Sequence, residues 1–92
     1  DLIGRYGGEE FVIILPESDS LLAFKVAERI RQAVGSMQVL TGRCDVRVTV
    51  SIGVSICGKA DTAAFLVNRA DKALYVAKGS GKNRACSEKD VR

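Results

Sequence analysis

A chain of 92 residues with 47% apolar and 27% charged side chains has the size and balance of one small globular domain, too short for two and too apolar for a disordered tail. Its net charge of +3 is too small to specify a partner by itself, and no stretch approaches the ~20 apolar residues needed to span a bilayer. Three widely spaced cysteines, Cys44, Cys57 and Cys86, and no histidine leave no C-x-x-C pair, no even disulfide set and no Cys/His zinc site, so the bland reading is free thiols in a reducing cytoplasm.

The chain opens at Asp1 with neither an initiator Met nor a signal-peptide pattern and reads as a piece of something longer. Gly7-Gly8, between strand-like segments, favours a tight turn, because glycine takes positive φ without strain. Phe11 to Leu15 follows, continuously apolar and closed by Pro16, a pattern that predicts a strand buried on both faces. Ser18, Asp19 and Ser20 offer N-cap oxygens for a helix whose apolar stripe falls at 22, 23, 26, 27, 30, 33 and 34, with Gly35 as its C-cap. From Val46 to Ile56 every even position is apolar, the period of a strand with one buried face; Met37 to Leu40 pairs with its beginning as a hairpin through Thr41-Gly42-Arg43. Asp61 or Thr62 caps a second helix with the stripe Ala63, Leu66, Val67, Ala70, Ala73, Leu74 and Ala77, stopping at Gly79. A glycine-rich turn, a short final strand and a polar end that frays complete the order. The class is an α/β or α+β layer with helices packed on a sheet.

The candidate chemistry lies at the two ends. Glu9 and Glu10 are adjacent carboxylates at the mouth of an apolar strand, and their mutual repulsion invites a cation. Carboxylates at such a turn are suited to Mg²⁺, a hard ion that also keeps phosphate or water oxygens; a solvated acidic hairpin fits the same pattern. At the other end, no acid falls between Asp71 and Glu88, whereas Lys72, Lys78, Lys82 and Arg84 do. Lys78 also suits the negative end of a helix dipole, but that leaves Lys82, Arg84 and the glycines of "GSGK" unexplained. The stretch is not a P-loop: Val76 stands where that motif needs glycine, Asn83 where it needs Ser or Thr, and the turn follows a helix instead of opening one. "RYGGEEFVII" loosely echoes an RNA-recognition strand, yet its central carboxylates would repel phosphate and aromatics are only 5% of the chain, so a nucleic-acid partner is not expected.

"RYGGEEF" with "VIILP", then "AERIRQAV", "VTVSIGVS" and "ADKALYVAKGSGKNR" resemble, in order and spacing, the second half of the GGDEF domain of diguanylate cyclases, in its GGEEF variant. The resemblance implies a nucleotidyl-cyclase-like fold, a palm or ferredoxin-like sheet flanked by helices, whose N-terminal strand and helices are absent from these residues. It implies condensation of two GTP into cyclic di-GMP with release of pyrophosphate, in a cytoplasmic homodimer that uses Mg²⁺ or Mn²⁺ and signals through its product. Residues 1–86 would be the C-terminal portion of one such domain, and residues 87–92 a polar tail.

By the same resemblance Glu9 is a metal ligand and catalytic acid that helps deprotonate the attacking 3′-hydroxyl, and Glu10 the second catalytic acid. Gly7 and Gly8 lie against the nucleotide, and Lys78 and Lys82 hold the triphosphate. Asp1 matches the aspartate of an inhibitory product site whose arginine would precede this chain, and Arg29 matches a further arginine of that site; a solvated helix face explains Arg29 equally well. Another metal-binding aspartate and the guanine-binding residues belong to the half not represented here, so these residues alone are expected to be inactive. The alternative is a degenerate module that binds GTP or cyclic di-GMP as a regulatory domain.

Overall fold

The computed structural model describes residues 2–7, 10–15, 19–37, 39–40, 45–46 and 48–91. In chain order these form β1 (Leu2–Gly7), β2 (Glu10–Ile14), α1 (Ser20–Ser36), β3 (Val39–Leu40), β4 (Asp45–Val46), β5 (Ile52–Val54), α2 (Ala63–Gly79), β6 (Ala85–Ser87) and a 3₁₀ turn at Glu88–Asp90. The strands pair two by two: β1 with β2 and β3 with β4 antiparallel, β5 with β6 parallel. Both helices pack on the β5–β6 pair, the helix-on-sheet layer expected from the sequence.

The helices form where the apolar periodicity places them. Asp19 caps α1, its carboxylate accepting from the Leu22 amide at 2.8 Å, and Thr62 caps α2, its hydroxyl accepting from the Phe65 amide at 3.2 Å. The C-terminus of α1 runs further than its glycine suggests: Gly35 lies inside the last turn, which closes at Met37. α2 stops at Gly79 as expected, with Ser80 as its C-cap. The left-handed glycine that ends α2 is Gly81, with φ +115°, and the Lys82 amide reaches back to the Ala77 carbonyl at 3.0 Å in the long bond of a Schellman motif. A glycine within a helical turn costs little when the next residues can still satisfy the end carbonyls.

The strands depart more from expectation. The strand-like segment before Gly7 is β1, although Gly4, Arg5 and Gly7 interrupt any apolar alternation in it. The following strand is not buried on both faces: Phe11 is 66% exposed and Ile14 51%. β1 and β2 form a two-stranded ribbon, which covers neither of its own faces. The period-two stretch Val46–Ile56 is likewise no continuous strand. It is strand at Asp45–Val46 and Ile52–Val54, with residues 48–51 and 55–56 outside any strand, because partners exist only at its two ends. The hairpin of Val39–Leu40 with Asp45–Val46 forms as expected, its turn lying outside the described residues. The polar end is structured through Val91. Ser87 and Asp90 close a capping box over the 3₁₀ turn, and Val91 packs against the core.

That core is built from small side chains: Ala73 and Ala77 fully buried on α2, Ala23 and Ala27 on α1, and Ala85 and Cys86 on β6. Small residues let backbones approach closely, and Gly53 takes this furthest. A Cβ there would overlap the Ala70 carbonyl oxygen and the Leu74 amide nitrogen and lie 2.8 Å from the Leu74 Cα. Large apolar side chains remain outside, among them Leu21, Leu22, Phe65 and Tyr75. The radius of gyration is accordingly 14.1 Å, against about 12 Å for a compact chain of this length. No described helix is long and apolar enough to cross a membrane.

One ionic cluster ties the ends of this layer together. The Arg69 guanidinium donates to Asp61 at 2.7 Å, to the Ile56 carbonyl at 2.9 Å and to the Glu88 carboxylate, so α2 is clasped to the loop before it and to the final 3₁₀ turn. Asp61 also accepts from the Gly58 amide. The Arg69 guanidinium, and after it that Gly58 N–H, hold the Asp61 carboxyl at about 2, below its ordinary value of 3.8.

Two outcomes follow. Gly53→Ala is expected to destabilise the fold by roughly 3 kcal/mol, because the obstructing atoms are backbone and cannot rotate away; urea unfolding checks this. Asp61 binds fewer protons folded than unfolded between pH 3.8 and about 2, so the stability it adds is complete above that window and is lost as pH falls through it. The stability difference between the native chain and Asp61→Asn should therefore shrink from about pH 4 to about pH 2, read from urea midpoints at each pH.

Candidate functional site

The signature stretch sits at the closed end of the β1–β2 hairpin. Arg5 pairs with Phe11 and Gly7 with Glu10; Gly8 and Glu9, which follow β1 in the sequence, lie outside the described residues, as does Asp1. Between Arg5 and Gly7 the register slips by one residue on β1, leaving Tyr6 as a β-bulge. Such bulges raise local twist and redirect the chain next to a turn, a feature that apolar patterning could not disclose. Glu10 opens β2 half-buried, as is Val12, while Phe11, Ile13 and Ile14 are exposed.

The basic residues meet at the far end of α2. Lys78 is exposed in the last helical turn, and Lys82 follows in the turn that caps it, also exposed. They share one structural unit, because the Lys82 amide bonds to the carbonyl of Ala77, the residue before Lys78. The two glycines expected to make this turn do so only in part. Gly81, Lys82 and Asn83 have φ of +115°, +63° and +48°, so the left-handed backbone falls mainly on residues with side chains. Arg29 is exposed on α1.

Several residues of this region escape sequence reasoning. Arg31, Ser51 and Asn83 come together around the basic turn from three separate segments: Arg31 donates to the Asn83 side chain at 3.1 Å, and the Asn83 amide to the Ser51 hydroxyl at 3.2 Å. Only Asn83 carried a signal, its residue type being the one besides glycine that best tolerates a left-handed backbone. Cys57 is an exposed free thiol and Cys86 a buried one, with burial raising the Cys86 pKa. Among the described residues no three His, Cys, Asp or Glu side chains gather as a metal site, and Glu9 is not one of those residues.

The family model described as "Diguanylate cyclase, GGDEF domain" matches residues 1–84. The chain belongs to the GGDEF domain family. Among its relatives, the response regulator PleD of Caulobacter vibrioides is 49% identical over 86 residues, covering 90% of this chain and 19% of PleD. Diguanylate cyclase A of Treponema denticola is 42% identical over 91 residues, covering 98% of this chain and 24% of the relative. The chain therefore spans about a fifth of the length of these relatives. The crystal structure of the GGDEF domain of DgcB from Caulobacter crescentus in complex with c-di-GMP superposes with a TM-score of 0.87 at 32% identity, over 95% of this chain and 53% of that one. The layer of α1, α2 and the parallel β5–β6 pair is thus part of a GGDEF fold, consistent with a ferredoxin-like palm.

If the Gly7–Glu10 register is set by the tight connection, lengthening it should unpair the ribbon tip without disturbing the helix layer. Inserting one glycine between Gly8 and Glu9 is expected to speed amide exchange at Glu10 and Phe11 by about tenfold or more, while amides of α2 exchange as before. Hydrogen exchange followed by NMR measures both.

Proposed function

We propose that residues 1–86 are the C-terminal portion of a single GGDEF domain and that the domain they complete is a cytoplasmic diguanylate cyclase. The observation that supports this most is the ribbon register: Gly7 pairs with Glu10, which brings the first glycine and the second acid of the GGEEF stretch side by side. Two glycines there let the backbone approach a nucleotide, and adjacent carboxylates supply hard oxygen donors.

In this reading Glu9 would hold Mg²⁺ or Mn²⁺ with Glu10 beside it, and the ion's chemistry is neutralisation of triphosphate charge. Glu9 accepts the proton of the attacking 3′-hydroxyl, whose oxygen forms a bond to the α-phosphorus of the second GTP. The bond from that phosphorus to the β-phosphate oxygen breaks and pyrophosphate leaves; the reciprocal step closes cyclic di-GMP. Lys78 and Lys82 bind and orient the triphosphate from the end of α2. Because one chain presents one GTP, two domains face each other as a homodimer. Arg29 with Asp1 forms part of a product-inhibition site, in keeping with the c-di-GMP held by the DgcB domain. The exposed apolar side chains of β2 and α1 are where the other half of the domain packs.

The complete domain with GTP and Mg²⁺ is expected to yield cyclic di-GMP by mass spectrometry, and Glu9→Gln to lower the rate by about a hundredfold or more. The 92 residues alone are expected to form little product. A complete domain that binds cyclic di-GMP but makes none would establish the regulatory-module alternative.

A further inference from the structure

The turn after α2 holds a conformation its residues do not favour. Lys82 and Asn83 are consecutive non-glycine residues with left-handed φ of +63° and +48°, following Gly81 at +115°. For a side chain as long as lysine this region is rare, and it persists where neighbouring contacts over-determine it. Those contacts come from every side. The Lys82 amide is anchored to the Ala77 carbonyl at 3.0 Å, and its own carbonyl accepts from Arg84 Nε at 3.2 Å. The Asn83 amide donates to Ser51 Oγ at 3.2 Å, and the Arg84 carbonyl accepts from the Ile52 amide at 3.0 Å, which carries the chain directly into β6.

The remaining contact comes from another helix. Arg31 Nη1 donates to Asn83 Oδ1 at 3.1 Å, across 52 positions of sequence. Arg31 is itself held: its Nε lies 3.2 Å from both Glu28 oxygens and its Nη2 donates to Oε2 at 2.9 Å. One edge of the guanidinium is thus fixed by a fork to its own helix, and Nη1 on the other edge is directed at the turn. The Glu28 fork in turn lowers the carboxyl's pKa and raises that of Arg31, so both stay charged throughout the physiological range.

We propose that Arg31 is a positioning residue for the triphosphate-binding turn: braced by Glu28, it holds Asn83, and with Ser51 fixes the left-handed backbone that presents Lys82. The inference rests on the reading of Lys82 as a phosphate ligand. Arg31 touches no residue assigned to the substrate and acts only through Asn83. Lysine could not replace it, having no fork to hold Glu28 with one edge while reaching Asn83 with the other.

The test uses the protein carrying the complete domain, with Arg31→Ala, Asn83→Ala, Lys82→Ala and the double variant of Arg31 and Lys82. Amide exchange of Lys82 and Asn83 is measured by NMR, and KM and kcat for GTP in parallel. Arg31→Ala and Asn83→Ala are expected to speed that exchange and raise KM, each about threefold to tenfold, the scale of one charge-assisted hydrogen bond at an exposed site. kcat should stay within about twofold. Adding Arg31→Ala to Lys82→Ala should raise KM no further, since the brace acts through Lys82. Unchanged exchange in Arg31→Ala, or a KM effect that adds fully to that of Lys82→Ala, would overturn the brace. If the turn loosens in Arg31→Ala but Lys82→Ala leaves KM at its native value, the phosphate assignment of Lys82 is what fails. The positioning role then falls with it.

Discussion

The backbone of α2 lies against Gly53 so closely that one methyl group at that position would overlap the Ala70 carbonyl and the Leu74 amide. This approach sets the height of the helix over the β5–β6 pair. Ala73 and Ala77, on the face of α2 turned to the sheet, are both fully buried. The rest of the layer inherits the same spacing: Cys86 on β6 and Val91 beyond it complete the packing below α2. The contact at Ala70 and Leu74 lies about one to two helical turns before Lys78, so the C-terminal turn of α2 is placed by it.

A core made of alanines buries little area per residue, and the energy it supplies is correspondingly modest. Polar clasps supplement it. Arg69 joins the β5–α2 loop, α2 itself and the final 3₁₀ turn, while Arg31 joins α1 to the turn after α2. Both arginines use a planar fork to hold carboxylates with part of the guanidinium and a second segment with the remainder, a division of labour unavailable to lysine. Among the described residues the β1–β2 ribbon has no such support, and Phe11, Ile13 and Ile14 of β2 stay exposed, as on a two-stranded ribbon without a third strand or a helix over it.

The two ends of the proposed site are consequently built on different principles. The acidic end lies on a two-stranded ribbon with a bulge at Tyr6. The basic end is a helix terminus in a strained backbone, shaped by hydrogen bonds from three separate segments.

By itself the sequence determined whatever depends on local periodicity and capping chemistry: both helices, the short polar stretches from which the structure selects the Asp19 and Thr62 caps, the hairpin of Val39–Leu40 with Asp45–Val46, the short last strand and the stretch that carries the family's signature. These are set by neighbours within a few positions, which a sequence displays directly. Tertiary structure decided the rest. It broke the even-numbered apolar run of 46–56 into two short strands, because a strand exists only where a partner pairs with it. Phe11 and Ile14 were left exposed for the same reason. The left-handed turn passed from glycine to Lys82 and Asn83 through contacts with Arg31 and Ser51, whose distance in sequence hid the connection. Apolar pattern tells which face a residue prefers; only the fold supplies the surface that covers it.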